Sequence, residues 1–442
     1  MATPPSASLV NLHSQLSTRA ITPMDLLLSP HETANENNPI FITRDPVGAM
    51  EQAQTSHRRF AEQCPRSILE GIPVAVKDVI DTAGIRTTMA SRLFADHIPE
   101  RDAKVVDLLR KAGANIVGKT NAHEFSYGIR GDAGAFGVVN NPHDAGRIAG
   151  GSSSGSAAAV AVGAVPLAVG TDTAGSVRLP AALCGVVGFK PSANAISTEG
   201  VFPLAPTFDT VGFFASSVQD IDEAMKLCAP GYLDSAAPVR AIQPRFIALD
   251  VLQPDSSPFA NAGHELVAEL MDAARRPMPA VNGHVSDFID LYNIVRSHEA
   301  YSVHKKFLHD RADQYQPDTL SRLQAGANIP RERVENAYAA IIVARQHFAE
   351  EFQDNDILIS PTVPIIAPKI HESSPEISNQ LMSHCVVWNV LGWPAISIPL
   401  TVPGEFLPQS VQLIGKPGSD ASLLRAAAEV HSKLQAASAT LQ

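Results

Sequence analysis

Hydroxyl side chains and bare backbone amides are concentrated in two loops on either side of one apolar segment. They are Gly150-Gly151-Ser152-Ser153-Ser154-Gly155-Ser156 and Gly170-Thr171-Asp172-Thr173-Ala174-Gly175-Ser176-Val177-Arg178. That combination points to acyl transfer: a serine attacks a carbonyl carbon, and N–H groups of a tight loop receive the negative charge that develops on its oxygen. A serine hydroxyl is too weakly acidic to attack an amide unless a base is held against it. A candidate base lies upstream, where Lys77 ends the apolar run Gly71-Ile72-Pro73-Val74-Ala75-Val76. If that run is buried, loss of water destabilises the lysine ammonium and brings its pKa toward the ~7–8 of catalytic lysines. Two serines and such a lysine can pass a proton in relay. The bland alternative is a lysine at a strand end that reaches solvent or pairs with Asp78.

Other motifs compete for attention. Gly113-Ala114-Asn115-Ile116-Val117-Gly118-Lys119-Thr120 matches the phosphate-loop pattern letter for letter. A phosphate loop follows a strand and wraps its backbone round an anion. Here Ile116 and Val117 themselves read as the strand, with a helix before them, so nucleotide binding is disfavoured. Gly151 to Gly155 fits the G-x-S-x-G elbow, with Ser153 as nucleophile. The turn-rich stretch Asn140-Asn141-Pro142-His143-Asp144-Ala145-Gly146-Arg147 stands where that motif needs a strand. His123 and His143 invite a Ser–His assignment, because histidine is the usual base for a serine nucleophile.

These residues need a scaffold, and the chain supplies α and β segments in alternation. Ala103 to Lys111 has helical periodicity, Gly113 can cap its C-terminus, and the β-branched pair Ile116-Val117 follows. The pattern recurs from Ala157 onward, with a short strand at Val165–Val169, and again where Ile357-Leu358-Ile359 precedes Ser360-Pro361. Repeated alternation predicts a layered α/β core. Asp420 to Gln435 reads as a helix, and the proline-rich stretch from Pro361 to Pro375 as a surface loop. Tyr292, Arg296 and Glu299 share one face of a helix-like run that also contains Tyr301; a solvated charged face is the plain reading.

Composition bounds the rest. With 442 residues, 45% hydrophobic and 18% charged, the chain has ample material for a core. A net charge of −11 disfavours direct nucleic-acid contact, which depends on clustered Lys and Arg. Cys64, Cys184, Cys228 and Cys385 lack metal-ligand spacing and suit a reducing cytoplasm. Met1 to Pro30 lacks the features of a secretory signal. The longest apolar stretch, Ala157 to Val169, is broken by Gly163 and Pro166 and falls short of the roughly 20 residues that span a bilayer, so no membrane association is expected.

The three chemistry-bearing segments resemble the amidase signature family, which hydrolyses carboxamides with a serine–cis-serine–lysine triad. The resemblance extends to Val117-Gly118-Lys119-Thr120-Asn121 with His123-Glu124-Phe125, to Cys184-Gly185-Val186-Val187-Gly188-Phe189-Lys190-Pro191, to Ser360-Pro361-Thr362 and to Val411-Gln412-Leu413-Ile414-Gly415. It covers nearly the whole chain. It implies a single α/β domain over residues 1–442 with a central mixed sheet enclosed by helices, a signature core at 72–215 and a variable, substrate-shaping region at 243–305. By resemblance Ser176 is the nucleophile, Ser152 relays its proton from a cis peptide with Gly151, and Lys77 is the base. The backbones of Thr173, Ala174, Gly175 and Ser176 form the oxyanion hole, with Ala174 standing where most members have glycine. Ser153 either supports the triad by hydrogen bonding or caps the helix that starts near Ser156. Asp172 and Arg178 form a buried pair that shapes the loop, with carboxylate binding as the other role for Arg178. Tyr292, Arg296 and Tyr301 line the acyl pocket, and both histidines are dispensable.

The resemblance implies no metal and no organic cofactor. The expected activity is hydrolysis of a small carboxamide through an acyl-enzyme, releasing ammonia or an amine. The alternative is the A subunit of a glutamyl-tRNA amidotransferase, which makes ammonia from glutamine within a complex whose partner subunit holds the tRNA. A homodimer is left open.

Overall fold

In a computed structural model, residues 8–28, 38–232, 243–250, 258–279, 286–372, 374–400 and 406–440 are described. Runs such as Pro73–Lys77, Leu167–Asp172 and Thr210–Ala215 are buried at every position, so they belong to strands covered on both faces rather than alternating in and out. Eleven strands join one sheet: β1 (Phe41–Arg44), β2 (Pro73–Lys77), β3 (Asn115–Thr120), β4 (Leu167–Asp172), β5 (Val187–Lys190), β6 (Thr210–Ala215), β7 (Arg245–Asp250), β8 (Ala274–Pro277), β9 (Asp356–Pro361), β10 (Ala395–Leu400) and β11 (Gln409–Ile414). Their order is β1-β3-β2-β4-β6-β5-β10-β11-β9-β7-β8. β2 is parallel to both β3 and β4, and β7 to both β8 and β9, while the remaining pairs are antiparallel. The sheet is therefore mixed and lies among helices, as expected.

The predicted helix at 103–111 is Lys104–Ala112, closed by Gly113 in the left-handed conformation and followed directly by β3. That order removes the phosphate-loop reading. Lys119 is fully buried and donates to the Ile80 carbonyl and to Thr82, so it is not available to a phosphate. The C-terminal helix runs from Asp420 to Thr440, longer than expected. Of the variable region, 251–257 and 280–285 lie outside the described residues.

The surface-loop expectation for Pro361 to Pro375 holds in part: 362–372 forms neither helix nor strand and Lys369, His371 and Glu372 are exposed, but most of the first half of the stretch is buried. Pro361 ends β9 and Pro375 starts the helix Pro375–Leu391, while Thr362, Val363 and Ala367 are buried. Proline content suggested a loop, but the backbone is paired: Ile148 donates to the Pro368 carbonyl at 3.0 Å, and Ile370 donates to the Gly146 carbonyl at 3.0 Å. The segment clasps the turn that leads into the first serine loop.

β2 and β4 are parallel neighbours, with Val76 level with Val169. Lys77 and the β4 residues after Val169 consequently emerge at the same edge of the sheet, the end where open α/β sheets hold their ligands. The helices Ser286–Leu308, Pro317–Gly326 and Pro375–Leu391 cover that edge. Among the described residues no helix is long and apolar enough to cross a membrane.

Candidate active site

Lys77 is completely buried, and its Nζ lies 2.7 Å from both Ser152 Oγ and Thr171 Oγ1. Burial lowers its pKa from 10.5 to about 7, with Asp172 and Asp209 pulling the other way. Pairing with Asp78 does not occur. The Asp78 carboxylate turns to the Thr88 and Ala90 amides and the Thr88 hydroxyl, as the alternation of side chains across a strand demands of adjacent residues.

Ser152 follows a cis peptide bond from Gly151. Only glycine fits at 151, because a Cβ there would lie 2.6 Å from the Gly131 amide nitrogen. Gly151 donates to the Ile129 carbonyl and His123 to the Ser152 carbonyl, so the turn is fixed on both sides. Ser153 occupies the N-cap position of the helix Ser154–Ala161 without capping it. Its hydroxyl donates to the Thr171 carbonyl at 3.2 Å and accepts from the Thr171 amide at 3.4 Å, tying the helix start to β4.

Asp172 and Arg178 are both fully buried and joined twice, by Nε at 3.0 Å and a second guanidinium nitrogen at 3.1 Å. Burial opposes the Asp172 carboxylate, but Arg178 outweighs it and holds the group below the usual range. Arg178 also donates to Asn389 at 2.6 Å and Gln412 at 3.2 Å, so its fork is engaged away from the cavity rather than offered to a substrate carboxylate.

The Asp172 carboxylate accepts from the amides of Gly175, Val177 and Arg178. This corrects the assignment of Gly175: its N–H points back to Asp172 at 2.7 Å and is not free for an oxyanion. The amides of Thr173, Ala174 and Ser176 donate no hydrogen bond to any described residue. Gly175 has φ 116°, and a Cβ there would lie 2.6 Å from Cys385 Cβ.

Ser176 borders a cavity of about 460 Å³ whose wall includes Tyr127, Arg130, Tyr292, Arg296 and Arg322. No hydrogen bond links its hydroxyl to Ser152 or to any other described residue. Tyr301 does not line this cavity. Nine positions along the helix carry it half a turn from Tyr292, and it packs against Gly326. Glu299 faces inward but bonds Thr207 and Tyr338.

The histidines are accounted for differently. His143 bonds the Cys184 carbonyl at 3.0 Å. His123 is buried with neither ring nitrogen hydrogen-bonded to a described residue, its Nδ1 lying 4.0 Å from Asp132, and burial lowers its pKa to about 3.

Two residues escaped sequence reasoning. Thr171 stands five positions before Ser176 in a loop already singled out, but its approach to Lys77 depends on the β2–β4 register. Asp209, whose carboxyl pKa burial pushes up, accepts from the Thr173 hydroxyl at 2.7 Å and from the Leu204 and Ala205 amides, joining the Ser176 loop to the cavity wall. It carried no motif. The expected consequence of Thr171→Val is a roughly tenfold fall in kcat, about the worth of one hydrogen bond, with the acidic limb of the pH–rate profile moving to lower pH. Loss of the hydroxyl further disfavours the charged amine. An unchanged profile and rate would deny Thr171 a part.

Fold and site together define an α/β protein with a buried lysine in contact with one serine and a second serine on a cavity wall. A sequence profile of the Amidase family matches residues 26–424. The chain belongs to that family. It is 33% identical over 430 residues to the A subunit of glutamyl-tRNA(Gln) amidotransferase from Symbiobacterium thermophilum, covering 88% of each chain. Among solved structures it superposes on an amidase with a TM-score of 0.88 at 27% identity, over 97% of this chain and 100% of that one. On the A subunit of glutamyl-tRNA(Gln) amidotransferase from Thermotoga maritima the TM-score is 0.73 at 28% identity, over 93% and 90%.

Proposed function

We propose that the chain cleaves the C–N bond of a carboxamide through an acyl-enzyme on Ser176. The observation that carries this is a desolvated Lys77 in contact with Ser152, together with a Ser176 that borders a cavity. Neutral Lys77 takes the proton of Ser152 while Ser152 takes that of Ser176, whose Oγ attacks the carbonyl carbon. The amides of Thr173, Ala174 and Ser176 receive the oxyanion. The proton returns through Ser152 to the leaving nitrogen, the C–N bond breaks, and water then releases the acyl group. The contact between Ser152 and Ser176 closes when substrate is bound, as catalytic hydrogen bonds commonly do.

For the destination of the ammonia, the relatives favour a component of an amidotransferase over the free hydrolase of small amides that the sequence placed first. The similar curated chains match over most of their length and carry the name of the glutamyl-tRNA(Gln) amidotransferase A subunit. We therefore propose glutamine as donor and a partner-held acyl acceptor. A free amidase is the second reading, favoured by the closer superposition on a solved amidase, 0.88 against 0.73. Ammonia release by the purified chain separates the two. Turnover of several amides without any partner supports the free amidase, and release from glutamine only on adding an amidotransferase partner supports the first reading.

A further inference from the structure

The amides proposed to receive the oxyanion sit on the arc from Thr173 to Ser176, which is held differently at its two ends. On the Ser176 side the Asp172 carboxylate takes the Gly175 and Val177 amides, and Arg178 fixes Asp172 in turn. On the other side, among the described residues, Thr173 makes one hydrogen bond, from its hydroxyl to Asp209 Oδ1 at 2.7 Å. The strand ladder brings the two together. β4 and β6 are antiparallel with Asp172 opposite Thr210, so one step beyond that pair Thr173 is level with Asp209. The second oxygen of Asp209 accepts from the Leu204 amide at 2.9 Å and the Ala205 amide at 3.1 Å. Leu204 is buried in the wall of the cavity beside Ser176, and Thr207, within the same turn, is held by Glu299.

A threonine side chain has few rotamers, so anchoring its hydroxyl also restrains the backbone torsions of Thr173 and with them the directions of the Thr173 and Ala174 N–H groups. Oxyanion donors are effective only when aimed in advance. From this we infer that Asp209 is a positioning residue for the oxyanion amides: one carboxylate oxygen fixes Thr173, the other ties that end of the arc to the cavity wall, and Asp209 itself touches no reacting atom. A carboxylate suits the task because it offers an acceptor oxygen to each side, whereas a carboxamide offers one. The inference rests on the proposed attack by Ser176 and its oxyanion amides, but not on which amide is cleaved or where the ammonia goes.

Labelling tests it without requiring a known substrate. A fluorophosphonate is attacked by an activated serine with loss of fluoride, and its P=O oxygen takes the place of the oxyanion, so the rate constant kinact reads the aim of the amides while KI reads binding. Removal of a whole oxyanion donor costs about 10²–10³-fold, so Thr173→Val, which deletes only the anchoring hydroxyl, should lower kinact roughly tenfold and leave KI within about twofold. Thr173→Ser, which returns the hydroxyl, should recover most of the loss. Asp209→Asn should lower kinact to a similar extent, and Thr173→Val/Asp209→Asn should be no slower than the slower single variant, because both act through one bond. The two Thr173 variants decide the matter alone if Asp209→Asn does not fold. Labelling of Thr173→Val at the parent rate, a loss confined to KI, a Thr173→Ser as slow as Thr173→Val, or losses that multiply in the double variant overturn the inference and leave the nucleophile standing. Failure of Ser176 to label in the parent chain removes the nucleophile and the inference with it.

Discussion

Lys77→Met is expected to lower kcat/KM by about 10³-fold, the contribution of a well-placed proton acceptor. The parent activity should rise as pH increases through about 7, where the amine becomes neutral, and the residual activity of the variant should not show that rise. Stability should move the opposite way. The folded-state pKa of Lys77 is depressed, so below about 7 the folded chain carries a buried ammonium at full cost, and the cost is relieved as pH rises from there toward 10.5. Lys77→Met should therefore be more stable than the parent at pH 6, with the difference shrinking toward pH 10. Denaturant midpoints at the two pH values, set beside pH–rate profiles, check both halves. A variant that keeps near-normal turnover would return Lys77 to a structural role.

Arg178→Met is expected to cost about 3–5 kcal/mol of folding stability, because it leaves the buried Asp172 carboxylate without its cation. The double variant Asp172→Asn/Arg178→Met should recover a large part of that loss, since neither charge then remains, although the amide no longer meets Gly175, Val177 and Arg178 as the carboxylate did. Urea unfolding of the single and double variants measures the coupling. Equal stability of the two would mean that the pair contributes through shape alone.

The candidate site was legible because glycine, serine and a lysine after an apolar run are local signals. The sequence also identified the α/β alternation, since helix and strand periods are local too. Four features depended on contacts that only the folded chain makes. The contact between Thr171 and Lys77 needs the register of two strands about ninety residues apart. The Gly175 amide reads as an oxyanion donor until the Asp172 side chain is seen folding back on it. Tyr301 belongs to the right helix but to its far side, where Gly326 leaves room. The proline-rich stretch after β9 looked like surface because nothing within it announces its pairing with Gly146 and Ile148. Helical spacing and the family resemblance brought Arg296 into view, but its lack of an acid partner among the described residues is visible only once the helix Ser286–Leu308 is docked.

The engagement of Arg178 by Asn389 and Gln412 has a consequence for truncated chains. All the proposed reacting side chains lie within the first 176 residues, but the hydrogen bonds that hold Arg178 beside the loop carrying Ser176 draw on Asn389 and, in β11, Gln412. A chain stopped before Gln412 would hold the proposed reacting side chains but lack β11 and one partner of Arg178, and it is expected to release less ammonia than the full chain in the same assay.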